Sequence, residues 1–445
     1  MIAGRGRRLV APEASVPSPA GAWLPWWCRP SLMLLGASIP ALAIFSFSDA
    51  SQSLARAQHF YEPRDFLLGL VSILVLAAGA ALGESGLLPQ AGNALLRRRP
   101  APSPRLGETL LSTRFDAFLM AVFLVSHLIF FRGFLLNPGL AGAVLGGNLE
   151  LKHTFKTIPG VTTWTQVAIV LGGIRGMRWS GLLPGRVKLV SVFHLVFFGT
   201  LFVRALLWSE RLALIEGGVP FFLGALPRIC AAAGPFARNL LRLLPLLLPV
   251  AVLLLFVSFE FLRSWQHYSG QHSSIFEFGW KRLYTYYFEA MNTGAAVLRV
   301  AGFYDGPTAP LSHKAHEDIY EGLYLGTLDV EYNNPGGLHY IAARTGNLLL
   351  GPFLLLVGIW FGLTYRAYRE GRLLSLLYPI SFLGLMEILR IPYWIGTNRV
   401  VPAVVVVALI LLWSASLRRR VRLRPAAEPA DQTAAAWPLT EAPRR

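Results

Sequence analysis

A chain of 445 residues that is 54% hydrophobic, with a mean hydropathy of +0.49, is too apolar for an ordinary water-soluble globule. Its formal charge of +17 would suit a nucleic-acid binder, but the basic residues sit in short clusters between long apolar runs. That distribution sets orientation in a membrane, so no nucleic-acid partner is expected. Two cysteines, Cys28 and Cys230, are too few for a disulfide framework or a cysteine-built metal site, and free thiols are expected.

Apolar runs of roughly 18–22 residues recur along the chain, each long enough to cross a bilayer as a helix. None alternates with a period of two, which excludes a barrel and leaves helices to satisfy the backbone. The expected fold is an all-α polytopic membrane protein with about ten transmembrane helices and one large outer loop. Residues 1–30, basic at Arg5, Arg7 and Arg8, form a cytosolic segment, and the run after it reads as an uncleaved anchor. The first membrane region, 31–262, holds seven spans near 31–49, 65–84, 115–136, 161–176, 189–208, 211–228 and 241–262. Glycine or proline interrupts the runs at 161–176 and 211–228, which admit a re-entrant reading. A periplasmic loop takes 263–343, and the last three spans, near 345–364, 374–391 and 399–416, fall within 344–417. Residues 418–445 make an Ala/Pro-rich, disordered cytosolic tail. Starting inside, this count puts Arg97–Arg99, the stretch from Arg175 to Lys188, Arg366 to Arg372 and both termini in the cytosol.

The loop differs in composition, carrying five of the nine histidines together with acids, tyrosines and glycines. Its aromatic content, from Phe276 to Phe288, argues against disorder. The stretch 274–300 reads as an amphipathic helix lying on the membrane surface, and a short helix is expected near His316–Leu325. His313, His316 and Asp318 lack a third ligand at fixed spacing, and no Walker loop, dinucleotide turn or hydrolase motif occurs. Neither a metal nor a cofactor is expected.

The charge rule has exceptions. Arg204, Arg211, Arg263, Arg282, Arg390 and Arg399 fall at outer ends of spans, where topology does not need them. Glu260 with Arg263 and Glu387 with Arg390 are spaced i, i+3, and Arg204, Trp208 and Arg211 align if one helix runs through them. Arg282, Tyr286 and Glu289 share a helical face. Local Glu–Arg pairing is the plain reading. Several arginines on one side also suit a phosphate, which their planar fork of donors matches. The segment from Glu331 to Leu338 carries Asn-Pro-Gly-Gly, which reads as a turn, while its Asn and Glu side chains suit sugar hydroxyls.

Thr157-Ile-Pro-Gly-Val-Thr-Thr-Trp-Thr-Gln166, Trp208 to Glu216, Glu260-Phe-Leu-Arg-Ser-Trp265, Arg282 to Asn292, the Glu331 turn and Glu387-x-x-Arg390 carry a resemblance across about 115–416. The chain resembles the bacterial oligosaccharide repeat-unit polymerases, the Wzy-like O-antigen group. The resemblance implies a metal-independent membrane glycosyltransferase in the bacterial inner membrane. Such an enzyme joins undecaprenyl-pyrophosphate-linked oligosaccharides at the outer leaflet, among membrane lipids and with a possible chain-length regulator as partner. It implies pyrophosphate binding by the six arginines and a general base among Glu260, Glu289, Glu331 and Glu387. Glycan contacts fall to Tyr286, Tyr287, Asn292, Asn333, Asn334 and Tyr393. The Arg-then-Gly spacing of some polymerases is absent, since Ser274 and Thr293 lie eleven positions after Arg263 and Arg282. An O-antigen ligase and a flippase of lipid-linked sugars are the competing readings.

Overall fold

In the computed structural model the described residues are 23–47, 53–55, 57–87, 113–145, 158, 160–185, 187–208, 211–263, 265–329, 331–332, 334–393 and 399–422. Their regular elements are all helical, with no strand among the described residues. The helices are α1 (Pro30–Phe47, with a π-helical turn at Leu34–Ser38), α2 (Pro63–Ser85), α3 (Thr113–Leu136), α4 (Pro138–Leu145) and α5 (Ala168–Ser180). Next come α6 (Val192–Trp208), α7 (Arg211–Ala232), α8 (Pro235–Arg263), the single turn α9 (Trp265–Tyr268) and α10 (Ile275–Val300). The chain closes with α11 (His313–Tyr324), α12 (Gly337–Arg369), α13 (Tyr378–Met386) and α14 (Val401–Arg422). Among the described residues, six of these are long and apolar enough to cross a membrane: α1, α2, α3, α7 from Leu212, α8 to Phe261, and α12. Shorter apolar helices cover Val192–Trp208, Leu373–Met386 and Val401–Trp413. The protein is thus an all-α polytopic membrane protein.

Local chemistry explains the helix ends. Glu62 and Asp65 form a reciprocal capping box around Pro63 at the start of α2, and Gly86 closes that helix at φ 79°. Packing then follows small residues. Gly79 and Gly83 of α2 lie against Gly358 and Gly362 of α12, where any Cβ would strike the partner's backbone. Gly172 and Gly176 of α5 and Gly224 of α7 meet the facing helix's backbone in the same way, while Gly217 of α7 makes room for Leu201 of α6. Two i, i+4 glycine pairs face each other in the first contact, the arrangement that lets helices approach closely where lipid supplies no hydrophobic drive.

These contacts sort the helix ends into two sets. At one end, Arg29 pairs with Glu84 at 3.0 Å, Arg178 with Asp116 at 2.6 Å, and the Tyr378 hydroxyl donates to the Cys28 carbonyl at 2.5 Å. At the other, Arg204 donates to Thr165, Gly337 N–H to the Leu389 carbonyl, and Tyr61 packs on His339. Cys28 and Cys230 are both free thiols.

Several expectations change. The run at 211–228 is an unbroken helix to Ala232 despite Pro220 and Pro227, long and apolar enough from Leu212 to cross a membrane. Arg204 and Arg211 belong to separate helices, so the alignment through Trp208 does not form. The helix expected at 274–300 is present as α10 but does not lie on a surface. Its residues from Phe288 to Leu298 are all buried, packed among α1, α2 and α12. Small residues (Ala290, Gly294, Ala295, Ala296) allow close packing around this stretch, and its polar residues Glu289 and Asn292 are buried too. The loop also ends early: α12 begins at Gly337 and breaks at Gly346 (φ 67°) before the apolar run starts. Helix α14 continues to Arg422, into the stretch expected to be disordered; residues 1–22 and 423–445 lie outside the described residues.

Candidate functional site

The end of the bundle that carries Glu260 gathers three ion pairs. In the first, Arg282 on α10 faces Glu260 on α8 with Nε to Oε2 at 3.0 Å, and both are almost fully buried, at 1% and 0% side-chain exposure. The same guanidinium pairs with Glu331 and donates to the Tyr332 hydroxyl at 3.1 Å. Burial works against this charge, but the Glu260 carboxylate, aided by the two tyrosines and Glu331, more than offsets it and holds Arg282 protonated above its ordinary range. In the second, Arg390 pairs with Glu387 at 3.2 Å across one helical turn. In the third, Arg399 meets Glu216 of α7 at 3.0 Å, and the Tyr393 hydroxyl donates to the same oxygen at 2.5 Å.

Aromatic rings join the three. Tyr286 packs edge-on against Tyr332 at 5.1 Å and lies under the Arg390 guanidinium at 5.5 Å. Tyr287 sits close enough to Glu387 for that carboxylate, together with burial, to raise its phenol. Tyr393 is raised by burial, by Glu216 and, more weakly, by Glu387, which places it between the second and third pairs. The cluster therefore draws on α7, α8, α10, the turn before α12 and both sides of the break before α14.

The sequence-expected residues divide accordingly. Arg282, Arg390, Arg399, Glu260, Glu331, Glu387, Tyr286, Tyr287 and Tyr393 come together. Arg204 is elsewhere, bonded to Thr165 at 2.9 Å and stacked over Phe130 at 5.0 Å. The side chains of Arg211 and Arg263, and residue Asn333, lie outside the described residues; Asn334 is half-buried in the turn. Glu260 faces Arg282 on another helix, and its expected i, i+3 partner Arg263 has a side chain outside the described residues.

Glu289 and Asn292 point to a different task. Asn292 accepts from the Phe60 and Tyr61 amides at 2.7 and 3.1 Å and donates to the Gln58 carbonyl at 2.9 Å. Glu289 accepts from Ser53 at 3.0 Å and from Asn292 at 3.1 Å. Together with Thr285, which accepts from the Leu54 amide at 2.8 Å, they strap the extended segment before α2 onto α10. Asn292 is thus engaged with backbone and not open to a sugar. Burial pushes the Glu289 carboxyl above its ordinary value, the bonds from Asn292 and Ser53 only partly opposing it.

Two participants were not singled out from sequence, Glu216 and Tyr332. Glu216 left a signal: a lone carboxylate inside an apolar run is costly unless it has a partner, and it is 0% exposed here. No group of three or more metal-ligating side chains occurs among the described residues. The two apolar grooves flanking α3 lie away from the cluster; one is lined by Val122, Val125, Ile129 and Trp164, the other by His127, Phe131, Val196 and Val203. No family model, curated protein or solved structure matches the chain.

Proposed function

We propose that the chain crosses the inner membrane ten times with both termini cytosolic, and that the ion-pair cluster at its periplasmic end joins polyprenyl-pyrophosphate-linked oligosaccharides. The observation that carries this reading is the convergence of Arg282, Arg390 and Arg399 on one end of the bundle, linked through Tyr286, Tyr332 and Tyr393. Exposure assigns the roles. Arg390 and Arg399 keep 19% and 33% of their side chains open and are placed to contact a diphosphate, whereas Arg282 at 1% positions its neighbours. Among the four expected carboxylates, Glu331 is 35% exposed while Glu260, Glu289 and Glu387 are buried. Glu331 is therefore the one able to meet an acceptor hydroxyl.

In this scheme Glu331 takes the proton of the acceptor hydroxyl as its oxygen bonds to the anomeric carbon of the donor glycan. The bond from that carbon to the diphosphate oxygen breaks, and polyprenyl diphosphate leaves with the electron pair. Fixed guanidinium groups stabilise the departing charge without reorganising, the role a metal plays in other transferases. A chain-length regulator and the surrounding lipids remain the expected partners.

The test is glycan elongation by membranes supplied with lipid-linked repeat units. Arg390→Lys, Arg399→Lys and Glu331→Gln should lose long products while the protein stays inserted. Wild-type product lengths in all three, or movement of the lipid across the bilayer without elongation, would refute the reading.

A further inference from the structure

Helix α8 is anchored at its two ends and open between them. Near its start, the indole nitrogens of Trp26 and Trp27 donate to the Arg242 and Leu241 carbonyls at 2.9 and 2.6 Å. Near its end, Phe256 packs on Tyr286 at 5.6 Å, Val257 abuts Gly279, and Glu260 meets Arg282. Between these anchors, every residue from Leu246 to Ala251 is exposed. Six consecutive positions cover about 1.7 turns, so no face of this stretch is closed off by the bundle. A packed span shows a buried stripe instead, as α2 does with Gly69, Ile73, Leu76, Ala77 and Ala80. Only 6% of the most apolar part of α8 is buried, against 44% for α2. Pro245 and Pro249 fall in this stretch, where each removes a backbone donor and favours a bend away from neighbours.

The result is an apolar slot beside residues 246–251, between anchors at Arg242 and Phe256 that lie about 21 Å apart along the helix. Its upper anchor adjoins the cluster directly: one ring, Tyr286, separates Phe256 from the Arg390 guanidinium, at 5.6 and 5.5 Å. We propose that this slot receives the hydrocarbon chain of the lipid-linked substrate, entering sideways from the bilayer while its phosphates reach Arg390 at the outer mouth. The inference rests on the function proposed above. A chain entering this way never leaves an apolar medium, so only the headgroup has to be desolvated. A single polyprenyl chain suits a gap bounded by one helix and the bundle. A two-chain phospholipid has no comparable reason to align its phosphate with Arg390.

The experiment places the photoreactive residue p-benzoylphenylalanine at Leu247 in the slot, or at Leu74 on α2. The two are similarly exposed, at 42% and 45%. The full-length protein is irradiated in phospholipid nanodiscs containing undecaprenyl phosphate, and adducts are read by mass. The polyprenyl adduct should be favoured at Leu247 over Leu74 on the order of tenfold, equivalent to about 1.4 kcal/mol of preference. Equal yields at the two positions, or phospholipid adducts alone at Leu247, overturn the slot. A preserved adduct with no glycan elongation supports the slot and removes only the proposed reaction. Elongation with no adduct at Leu247 removes only the slot.

Discussion

Replacing Arg282 with methionine isolates the central pair of the cluster. The Glu260 carboxylate is 0% exposed and faces Arg282 at 3.0 Å. Removing the guanidinium takes from that buried carboxylate the cation it faces, a change that costs about 3–5 kcal/mol in folded proteins. Replacing both partners, as Arg282→Met with Glu260→Leu, removes the desolvation burden as well and should recover most of the loss. A double-mutant cycle should therefore give a coupling of at least ~2 kcal/mol. Glu331→Gln serves as the control: its carboxylate touches the same arginine but is 35% exposed, so it should cost under ~1 kcal/mol. Reversible unfolding in mixed micelles, followed by tryptophan fluorescence across a detergent series, measures all four proteins. If Arg282→Met costs under ~1 kcal/mol, or the two single losses simply add, the pair does not hold α8 to α10.

Three further outcomes follow from the geometry. Because burial raises Glu289 above its ordinary carboxylate value, the folded protein keeps that proton to higher pH than the unfolded chain does. Stability is then fullest below the ordinary value of 4.5 and falls as pH rises through the elevated folded value; Glu289→Gln should flatten this slope in melts recorded from about pH 4 to pH 8. Gly346 sits at φ 67°, and its Cβ would strike the Thr308 carbonyl, so Gly346→Ala should cost more than ~1 kcal/mol. Gly351→Ala, with nothing within 4 Å of its Cβ, should be neutral or stabilising by about 0.5–1 kcal/mol in the same unfolding assay. At the α2–α12 contact, Gly83→Leu should drive the helices apart and cost at least ~2 kcal/mol, whereas Leu74→Ala on the exposed side should stay within about 0.5 kcal/mol.

The strap at 53–61 sets how the cluster end is assembled. Its backbone bonds to Thr285 and Asn292, the Ser53 hydroxyl donates to Glu289, and Arg299 adds a bond to the Phe60 carbonyl at 3.0 Å. Thr285 and Asn292 lie to one side of Arg282 on α10, and Glu289 falls between them and the charged residues. One helix thus serves the strap and the ion pairs from neighbouring faces. Arg282 and Tyr286 turn to Glu260, Tyr332 and Arg390, while Glu289 turns to Ser53 and Asn292.

Much of the architecture was legible in the residues. All ten expected apolar runs correspond to helical elements, and the short helix near His316 appears as α11. The helix at 274–300 was legible as a helix, but its aromatic first half suggested an interface position that the small residues after Phe288 overrule. The paired glycines of α2 and α12, four residues apart on each helix, were not singled out from the sequence and show their close packing only in the structure. Their partners were not readable. Likewise the i, i+3 rule found Glu387–Arg390, a pair within one turn, and missed Glu260–Arg282 and Glu216–Arg399, pairs between separate helices.

Sequence alone determined that this chain is helical and where its apolar segments run, because a helix satisfies its backbone within four residues wherever water is absent. It also singled out the arginines at the ends of those segments. Only tertiary structure decided which of them meet: Arg282, Arg390 and Arg399 converge, while Arg204 stands apart with Thr165. A buried ion pair depends on how close two helices come and on their rotation about their axes. Those are set by glycine contacts and by side chains far away in the chain, and no local pattern encodes them.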